Sequence, residues 1–384
     1  VCSSDLSNFN IRTLKYSGAT GAQIWSAAFN GSTNAADIGN AIALDSAGNV
    51  FVTGTSTEID QFVNIRTVKY NGATGAQMWA ATVNGSANND EISFAIAIDA
   101  AGNAVVTGAS QEAGQGYNMR TLKYDGATGT ELWSAQFNGA LNANDIGRAV
   151  TIDASGHVFV TGNSRDAGSG DNIRTIKYHG TTGAQLWSRE FSGSIPATQR
   201  GSAIALDAAG HVLVTGISND AGSRQNIRTL RYHSTTGNLI WTTTSGGTAG
   251  ADDFGYAVAA AAGNTIYVMG SSVETGMPRG ILVQKMTDTT TLPSAPTIGT
   301  ATAGAGSVNV FFTPGADGGS TILDYTATCG VANQVVGTSS PIIVTGLTNG
   351  VTVTCTVAAR NALGNGPASA ASNSVTPRGV SSTF

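Results

Sequence analysis

An arginine and an acidic residue recur along the sequence at a fixed interval, and both residue types can bind ligands. Each set repeats every 54 residues. The arginines are Arg12, Arg66, Arg120, Arg174 and Arg228. The residues at the second position are Asp37, Glu91, Asp145, Gln199 and Asp253. A ring of such charges could hold a ligand, but a buried arginine in every repeat needs a carboxylate or carbonyl partner, so we interpret the arginines as links between neighbouring repeats.

The loops that carry the acidic set differ in sequence between repeats, which is typical of binding loops on a scaffold. They contain many carboxylates and amides and few basic residues, as in NGSANNDEI at residues 84–92. This composition suits a cation, a sugar or a basic protein surface. We therefore predict a ligand-contacting acidic face formed by Asp37, Glu91, Asp145, Asp252 and Asp253. Solvation of exposed loops explains the same composition without a ligand.

A third recurring motif, DSAGN at residues 45–49, offers oxygen ligands at short spacing. It is too short for Ca²⁺, which takes about six to eight oxygens, and an aspartate that caps its own turn explains it. Four histidines stand at turn positions that asparagine holds in sister repeats, so we predict solvent-exposed turns and no metal site. They are His157, His179, His211 and His233. Nucleophile motifs, phosphate loops and metalloprotease signatures are absent from the sequence, so we expect neither catalysis nor a cofactor.

The elements that position these residues follow from the tryptophans, which also recur every 54 residues. They are Trp25, Trp79, Trp133, Trp187 and Trp241. Each full repeat contains four segments with β-strand character, for example residues 41–45, 50–56, 64–70 and 76–83. A four-stranded sheet repeated at about 40 to 50 residues is typical of a β-propeller blade. The sequence therefore predicts an all-β fold in which the tryptophan of the outermost strand fills the gap between blades.

The copies of the first and third strands differ in number. Five copies of the first strand begin near residues 39, 93, 147, 201 and 255, and six copies of the third begin at residues 11, 65, 119, 173, 227 and 281. Since two third strands cannot hold one place in a blade, we predict a ring of six or more blades, of which this chain is an N-terminally truncated part. Residues 1–6 (VCSSDL) match no repeat, and we interpret them as a non-native leader.

The run ALDSAGNVFVTGTS and its echo IALDAAGHVLVTGIS resemble the bacterial β-propeller repeat called SBBP. The resemblance implies five to six blade repeats in a propeller of residues 7–288. The segment TGAQIW, with Thr20, Gly21 and Trp25, is similar to the tryptophan-docking motif of quinoprotein dehydrogenase propellers. That resemblance implies packing between blades. The adjacent cysteine pair that those enzymes carry near their cofactor is absent, so quinone chemistry is not carried over.

Residues 292–378, which overlap a Thr- and Pro-rich linker at residues 289–297, resemble a fibronectin type III module, an immunoglobulin-like sandwich. The resemblance rests on PSAP, VNVFFTPGADGGSTILDYTATC and GLTNGVTVTCTVAARNALGNGPAS. Phe312 stands for the usual core tryptophan and Val353 for the usual tyrosine. In such a sandwich the strands that carry Cys329 and Cys355 are neighbours, so the resemblance implies a disulfide, which persists in an oxidising compartment. Two buried free thiols are the alternative.

Composition narrows the function classes. Charged residues form 11% of the chain and the net charge is −5, which provides no basic surface for nucleic acid. No apolar run approaches the roughly 20 residues of a membrane-spanning helix. We therefore expect a secreted or cell-envelope protein, non-enzymatic, that binds an extracellular protein or a carbohydrate through the acidic face. The alternative is an accessory region of a secreted enzyme, quinoprotein-like or carbohydrate-active, whose catalytic part lies upstream.

Overall fold

The structure, a computed structural model, describes most of the chain as β-strands and turns. The described residues are 4–5, 8–32, 35–58, 62–85, 89–112, 114–166, 170–193, 197–219, 224–331 and 333–379. Every regular element within these ranges is a strand, in agreement with the predicted all-β class. Within the same ranges, no helix has the length and apolar character needed to cross a membrane.

Two short antiparallel sheets lie at the start of the chain. They consist of β1 (Ser4–Asp5) with β2 (Asn8–Phe9), and β3 (Ile11–Tyr16) with β4 (Gln23–Phe29). The second pair corresponds to the third and fourth strands of a repeat, because it carries Arg12 and Trp25.

Four antiparallel sheets of four strands follow, each in chain order, and we call them blades 1 to 4. Blade 1 contains β5 (Ile38–Leu44), β6 (Val50–Thr57), β7 (Val63–Tyr70) and β8 (Gln77–Val83). Blade 2 contains β9 (Glu91–Ile98), β10 (Ala104–Gln111), β11 (Tyr117–Tyr124) and β12 (Glu131–Phe137). Blade 3 contains β13 (Ile146–Ile152), β14 (Val158–Arg165), β15 (Asp171–Tyr178) and β16 (Gln185–Phe191). Blade 4 contains β17 (Arg200–Leu206), β18 (Val212–Asn219), β19 (Gln225–Tyr232) and β20 (Leu239–Ser245).

A three-stranded sheet comes next in the chain. Its strands are β21 (Phe254–Ala261), β22 (Thr265–Ser272) and β23 (Gly280–Thr287), with β22 in the middle. The sixth copy of the third strand therefore pairs with β22, and among the described residues β3 pairs only with β4. A single sheet that joins β3 to β22, as a closed five-bladed ring requires, does not occur in the described part of the chain. A ring of six or more blades stays a prediction.

A β-bulge interrupts the innermost strand at the same place in every copy. In blade 1 the pairing skips Asn40, between Gly39 and Ala41. A Cβ on Gly54, which faces this bulge, would lie 1.8 Å from the carbonyl oxygen of Ile38, so only glycine fits there. We call the five bulged residues the bulge row. They are Asn40, Phe94, Arg148, Ser202 and Tyr256.

The hydrophobic core lies between successive sheets rather than within one of them. The innermost strands β5, β9, β13, β17 and β21 contact one another in sequence. Between blades 1 and 2, Trp79 packs its ring 5.7 Å from that of Phe51 and 6.3 Å from that of Tyr124. Leu122 completes this cluster and is fully buried. Each blade thus buries both faces against its neighbours, as propeller blades do.

Contacts divide the chain into two units. The first comprises residues 1–229 and 243–286, and the second comprises residues 230–242 and 287–384. The remaining strands belong to the second unit. They are β24 (Thr297–Ile298), β25 (Thr302–Gly304), β26 (Ser307–Val310), β27 (Phe312–Thr313), β28 (Asp324–Cys329), β29 (Asn333–Gly337), β30 (Ile342–Thr345), β31 (Cys355–Asn361) and β32 (Gly364–Ala368).

Two sheets of the second unit enclose one core. A three-stranded sheet has the order β25-β26-β30, and a four-stranded sheet has the order β29-β28-β31-β32. Val310 and Val344 of the first sheet share that core with Ala327 and Val357 of the second. Cys329 and Cys355 stand opposite each other on the neighbouring strands β28 and β31 and form a disulfide. The disulfide expected from the sequence is therefore present.

Candidate functional site

Four of the five residues predicted to contact a ligand are buried. Asp37, Glu91, Asp145 and Asp253 are at most 1% exposed. Asp145 accepts hydrogen bonds from the backbone N–H groups of Gly139 (2.6 Å) and Arg165 (3.1 Å). These carboxylates are bound to backbone donors inside the protein, so a ligand on the surface cannot reach them.

The same arrangement recurs in the three-stranded sheet, where Asp253 accepts from Gly247 N (2.9 Å) and Val273 N (3.0 Å). Asp252 is half-buried, and its Oδ1 accepts from Gln225 N at 3.0 Å. The acidic set therefore ties each loop before an innermost strand to neighbouring backbone. We therefore correct the prediction of a ligand-contacting acidic face. The loops vary in sequence, but their carboxylates have a structural role.

Glu91 is the one glutamate in this set, and its environment disfavours the charge. Burial raises the pKa of the Glu91 carboxyl to about 7, and the nearby carboxylates of Glu112 and Asp90 act in the same direction. The backbone N–H groups of Gly85 and Gln111 offset part of this effect. Gln199, the neutral residue at the same position in blade 4, is also fully buried. A neutral side chain is thus compatible with this position.

The repeated arginines contact aromatic rings of the preceding sheet. The guanidinium carbons of Arg66, Arg174 and Arg228 lie 4.6, 4.8 and 4.9 Å from the ring centroids of Phe29, Phe137 and Phe191, respectively. Such cation–π contacts join one sheet to the next.

The carboxylate partners of these arginines come from their own blade rather than from the buried acidic set. Arg66 pairs with Glu58, Arg120 with Glu112 at 3.7 Å, and Arg174 with Asp166 and, at 2.9 Å, with Glu190. Arg12, in the two-stranded sheet, is exposed and donates to Ser26 Oγ at 3.1 Å.

The tryptophans bind the next repeat by a hydrogen bond and by ring contact. The indole N–H groups of Trp25, Trp79 and Trp133 donate to the carbonyl groups of Gly72, Gly126 and Gly180, each at 3.1 Å. A Cβ on Gly129, in the Thr-Gly turn of blade 2, would lie 2.7 Å from the Trp79 ring. Trp187 is also buried, whereas Trp241 is half-buried. The positive φ of Gly129 and its contact with the indole explain why the turn contains glycine.

The histidines serve turns at the opposite end of the blades from the acidic set. The Nδ1 atom of His179 accepts from Thr181 N (3.3 Å) and Thr182 N (3.4 Å), as Asn71 Oδ1 does from Ala73 N and Thr74 N. An accepting Nδ1 places the proton of the neutral ring on Nε2, which then has no lone pair for a metal. No group of three potential metal-ligating side chains occurs among the described residues. The DSAGN motif is likewise a turn, in which Asp45 Oδ1 accepts from Asn49 N at 2.8 Å.

The tips of the variable loops lie outside the described residues. These are residues 33–34, 59–61, 86–88, 113, 167–169, 194–196 and 220–223. The sequence interpretation of these loops as a binding face stays a prediction for those residues.

The sequence interpretation assigned no function to a set of charged residues that depart from the repeat. Arg148 and Arg165 of blade 3 and Arg200 of blade 4 have no charged counterpart in the sister repeats, and the only charged counterpart of Asp171 in the sequence is a residue of opposite sign, Arg279. They could have been found by comparing equivalent positions of the repeats and looking for residues that depart from the pattern rather than for residues that agree with it. Arg148 belongs to the bulge row, and Arg200 begins the adjacent innermost strand.

Comparisons with known proteins agree with the architecture. Residues 118–288 match a family model described as outer membrane protein assembly factor BamB, and residues 16–60 match one described as beta-propeller repeat. No curated protein matches the chain.

Solved structures resemble the chain at low identity. BamB from Moraxella catarrhalis is 13% identical with a TM-score of 0.38, over 83% of this chain and 94% of that one. Quinohemoprotein alcohol dehydrogenase from Comamonas testosteroni is 10% identical with a TM-score of 0.44, over 81% of this chain and 62% of that one. A protein of unknown function from Dyadobacter fermentans is 14% identical with a TM-score of 0.40, over 73% and 84%. From its four-stranded sheets and the two family models, the chain is a β-propeller repeat protein.

Proposed function

We propose that this protein is a non-enzymatic binding module that acts outside the cell or in the cell envelope, with the propeller as its scaffold. The proposal rests on the observation that repeated and non-repeated polar residues have different roles. The repeated Arg, Asp and Trp side chains are engaged between or within blades, whereas the polar residues that differ between repeats lie on the bulge row and in the loops. Residues that the scaffold does not require are available for recognition.

The proposed location rests on the disulfide. The bond between Cys329 and Cys355 needs an oxidising compartment to persist. The match of residues 118–288 to the BamB family model is compatible with an envelope protein. The partner is an extracellular protein or a carbohydrate.

We also propose that the second unit is a fibronectin type III spacer. Its sheet orders, β25-β26-β30 and β29-β28-β31-β32, support this assignment, because such modules pack two antiparallel sheets around one core. Phe312, which stands for the usual tryptophan, is buried, and its ring lies 4.7 Å from that of Tyr325. The smaller ring still fills the core.

The second candidate function is an accessory region of a secreted enzyme, quinoprotein-like or carbohydrate-active. The contact between the tryptophans and the Thr-Gly turns favours it, because quinoprotein propellers resemble this chain in that motif. The complete gene distinguishes the candidates, since a catalytic domain in the same reading frame would support the accessory role.

Capture by the purified full chain tests the binding role. The immobilised protein is offered a panel of neutral, uronate-containing and sulfated glycans together with purified extracellular proteins. We expect saturable binding that free protein competes away, and that Asp252→Asn leaves unchanged. A folded protein that captures no member of the panel would contradict the proposal.

A further inference from the structure

Departures from the repeat concentrate where blades 3 and 4 meet on the innermost strands. Arg200 takes a position that is apolar in every other copy. Those copies have Ile38, Ile92, Ile146 and Phe254. Arg148 takes a bulge-row position in which no other copy has a charge. The strands that carry these arginines, β13 and β17, contact each other.

The residues just before Arg200 remove negative charge from the same place. The fourth repeat reads Thr198, Gln199, Arg200, where the fifth reads Asp252, Asp253, Phe254. Two carboxylates are thus replaced by neutral groups and an apolar residue by a cation. In a protein with a net charge of −5, this makes a local positive site.

The contacts of Arg148 fix the position of its guanidinium and leave its terminal amino groups available to a ligand. Its Nε donates to Asn163 Oδ1 at 3.1 Å, and its guanidinium lies 5.5 Å from the ring centroid of Phe94. Its terminal amino groups have no hydrogen-bond partner among the described residues. Burial lowers the pKa of the Arg148 guanidinium, and the nearby cation of Arg200 lowers it further, while Asp171 acts in the opposite direction. Both cations are half-buried and lie on the contacting strands β13 and β17.

The one carboxylate beside them already has a partner. Asp171 Oδ1 accepts from Arg165, at 2.9 Å from Nε and 2.8 Å from a terminal nitrogen. The carbonyl oxygen of Asp171 accepts from Gln199 N at 2.9 Å, which places the Asp171 backbone beside the residue that precedes Arg200. Within the described ranges, the guanidinium of Arg200 has neither a hydrogen bond nor an ion pair. The two half-buried cations thus have no carboxylate of their own, because the one near Arg148 is already paired with Arg165.

We propose that Arg148 and Arg200 bind an anionic group of the ligand, a carboxylate, sulfate or phosphate. The planar guanidinium fits such oxyanions through paired hydrogen bonds. This inference rests on the proposed binding function and names the chemistry that it recognises.

The test measures binding of sodium glucuronate, sodium sulfate and inorganic phosphate to the full chain by calorimetry at constant ionic strength, with glucose as the neutral control. The variants are Arg200→Ile and Arg148→Asn, which install residues that sister repeats carry at those positions. Arg378→Gln, at an exposed arginine of the second unit, is the matched control. Thermal unfolding of each variant establishes that it is folded.

We expect at least one oxyanion to bind saturably, and either variant to weaken it about tenfold or more, as expected for a lost charge-assisted hydrogen bond. Arg378→Gln should bind as the parent does. The preferred probe distinguishes a uronate-like from a sulfate-like or phosphate-like ligand. Equal binding by parent and both variants, or no saturable binding of any oxyanion, would overturn the inference. If Arg200→Ile still captures the glycan or protein partner as the parent does, the inference fails while the binding function stands.

Discussion

The surfaces between blades carry the same tryptophan in successive repeats, whereas the five residues of the bulge row all differ. Trp25, Trp79 and Trp133 make the same hydrogen bond at the same distance in three successive interfaces. The bulge row places an amide, two aromatic rings, a guanidinium and a hydroxyl on one backbone geometry. Since the backbone is alike in all copies, folding does not require this diversity. Agreement between repeats therefore marks the scaffold, and disagreement marks residues that are free to serve recognition.

The largest effect is expected at an interface between blades. Trp133→Ala should lower the free energy of unfolding by about 3 to 5 kcal/mol, because it leaves a cavity between blades 2 and 3 and removes one of the two donors to the Gly180 carbonyl. Chemical denaturation measures this loss. Trp241→Ala is the matched control. Trp241 is half-buried, so its replacement should lower the free energy of unfolding by a smaller amount. Equal losses at the two positions would show that the interfaces do not depend on the repeat as described.

How far the sequence predicts the structure follows the same division. The spacing of Trp79 and the strand pattern around it predict the four-stranded blade, because agreement between copies exposes the periodicity. The burial of Asp145 was missed, because a carboxylate that binds backbone N–H groups has the same sequence signature as one in a solvated loop. The carboxylate partner of Arg174 was missed for a related reason: Asp166 and Glu190 approach it only through the pairing of strands. Arg148 was passed over because it breaks the periodicity instead of forming it.

The second unit lacks the repeated interfaces between blades, so we expect its disulfide to contribute a larger share of its stability. Cys329 and Cys355 are separated by 26 residues, and replacing both by alanine should cost about 3 to 4 kcal/mol in the chain-entropy model. Only the unfolding transition of the second unit should shift. A reducing agent should shift the parent in the same way and leave the double variant unchanged. Recovery of both cysteines as free thiols from the exported protein would contradict the structure.

A substitution of Glu91 tests whether a change at a buried scaffold position can raise the stability of the protein. Its carboxyl has a pKa of about 7 in the folded protein against a usual value of 4.5. The unfolded chain therefore loses this proton first as the pH rises, so the folded state loses stability from about pH 4.5 to 7 and no further above that range.

Glu91→Gln removes this penalty and should stabilise the protein at pH 8 by up to about 3 kcal/mol, with little effect at pH 4. Denaturation curves at a series of pH values measure the difference. Gln199→Glu, the reverse exchange at the sister position, should introduce a loss of stability with the same sign of pH dependence. A pH-independent effect of Glu91→Gln would show that the Glu91 charge is not disfavoured by its surroundings.

The smallest effect on stability is expected where the repeats disagree. Three sister repeats have isoleucine at this position, namely Ile38, Ile92 and Ile146. Arg200→Ile installs the same residue type, so it should change the free energy of unfolding by about 0.5 kcal/mol or less. Arg174→Met provides the contrast, because this buried scaffold arginine leaves two carboxylates and the Phe137 ring without their cation. Its loss of stability should be clearly larger. A large loss with Arg200→Ile would mean that this arginine belongs to the scaffold, since a residue kept for recognition can be removed without penalty to the fold.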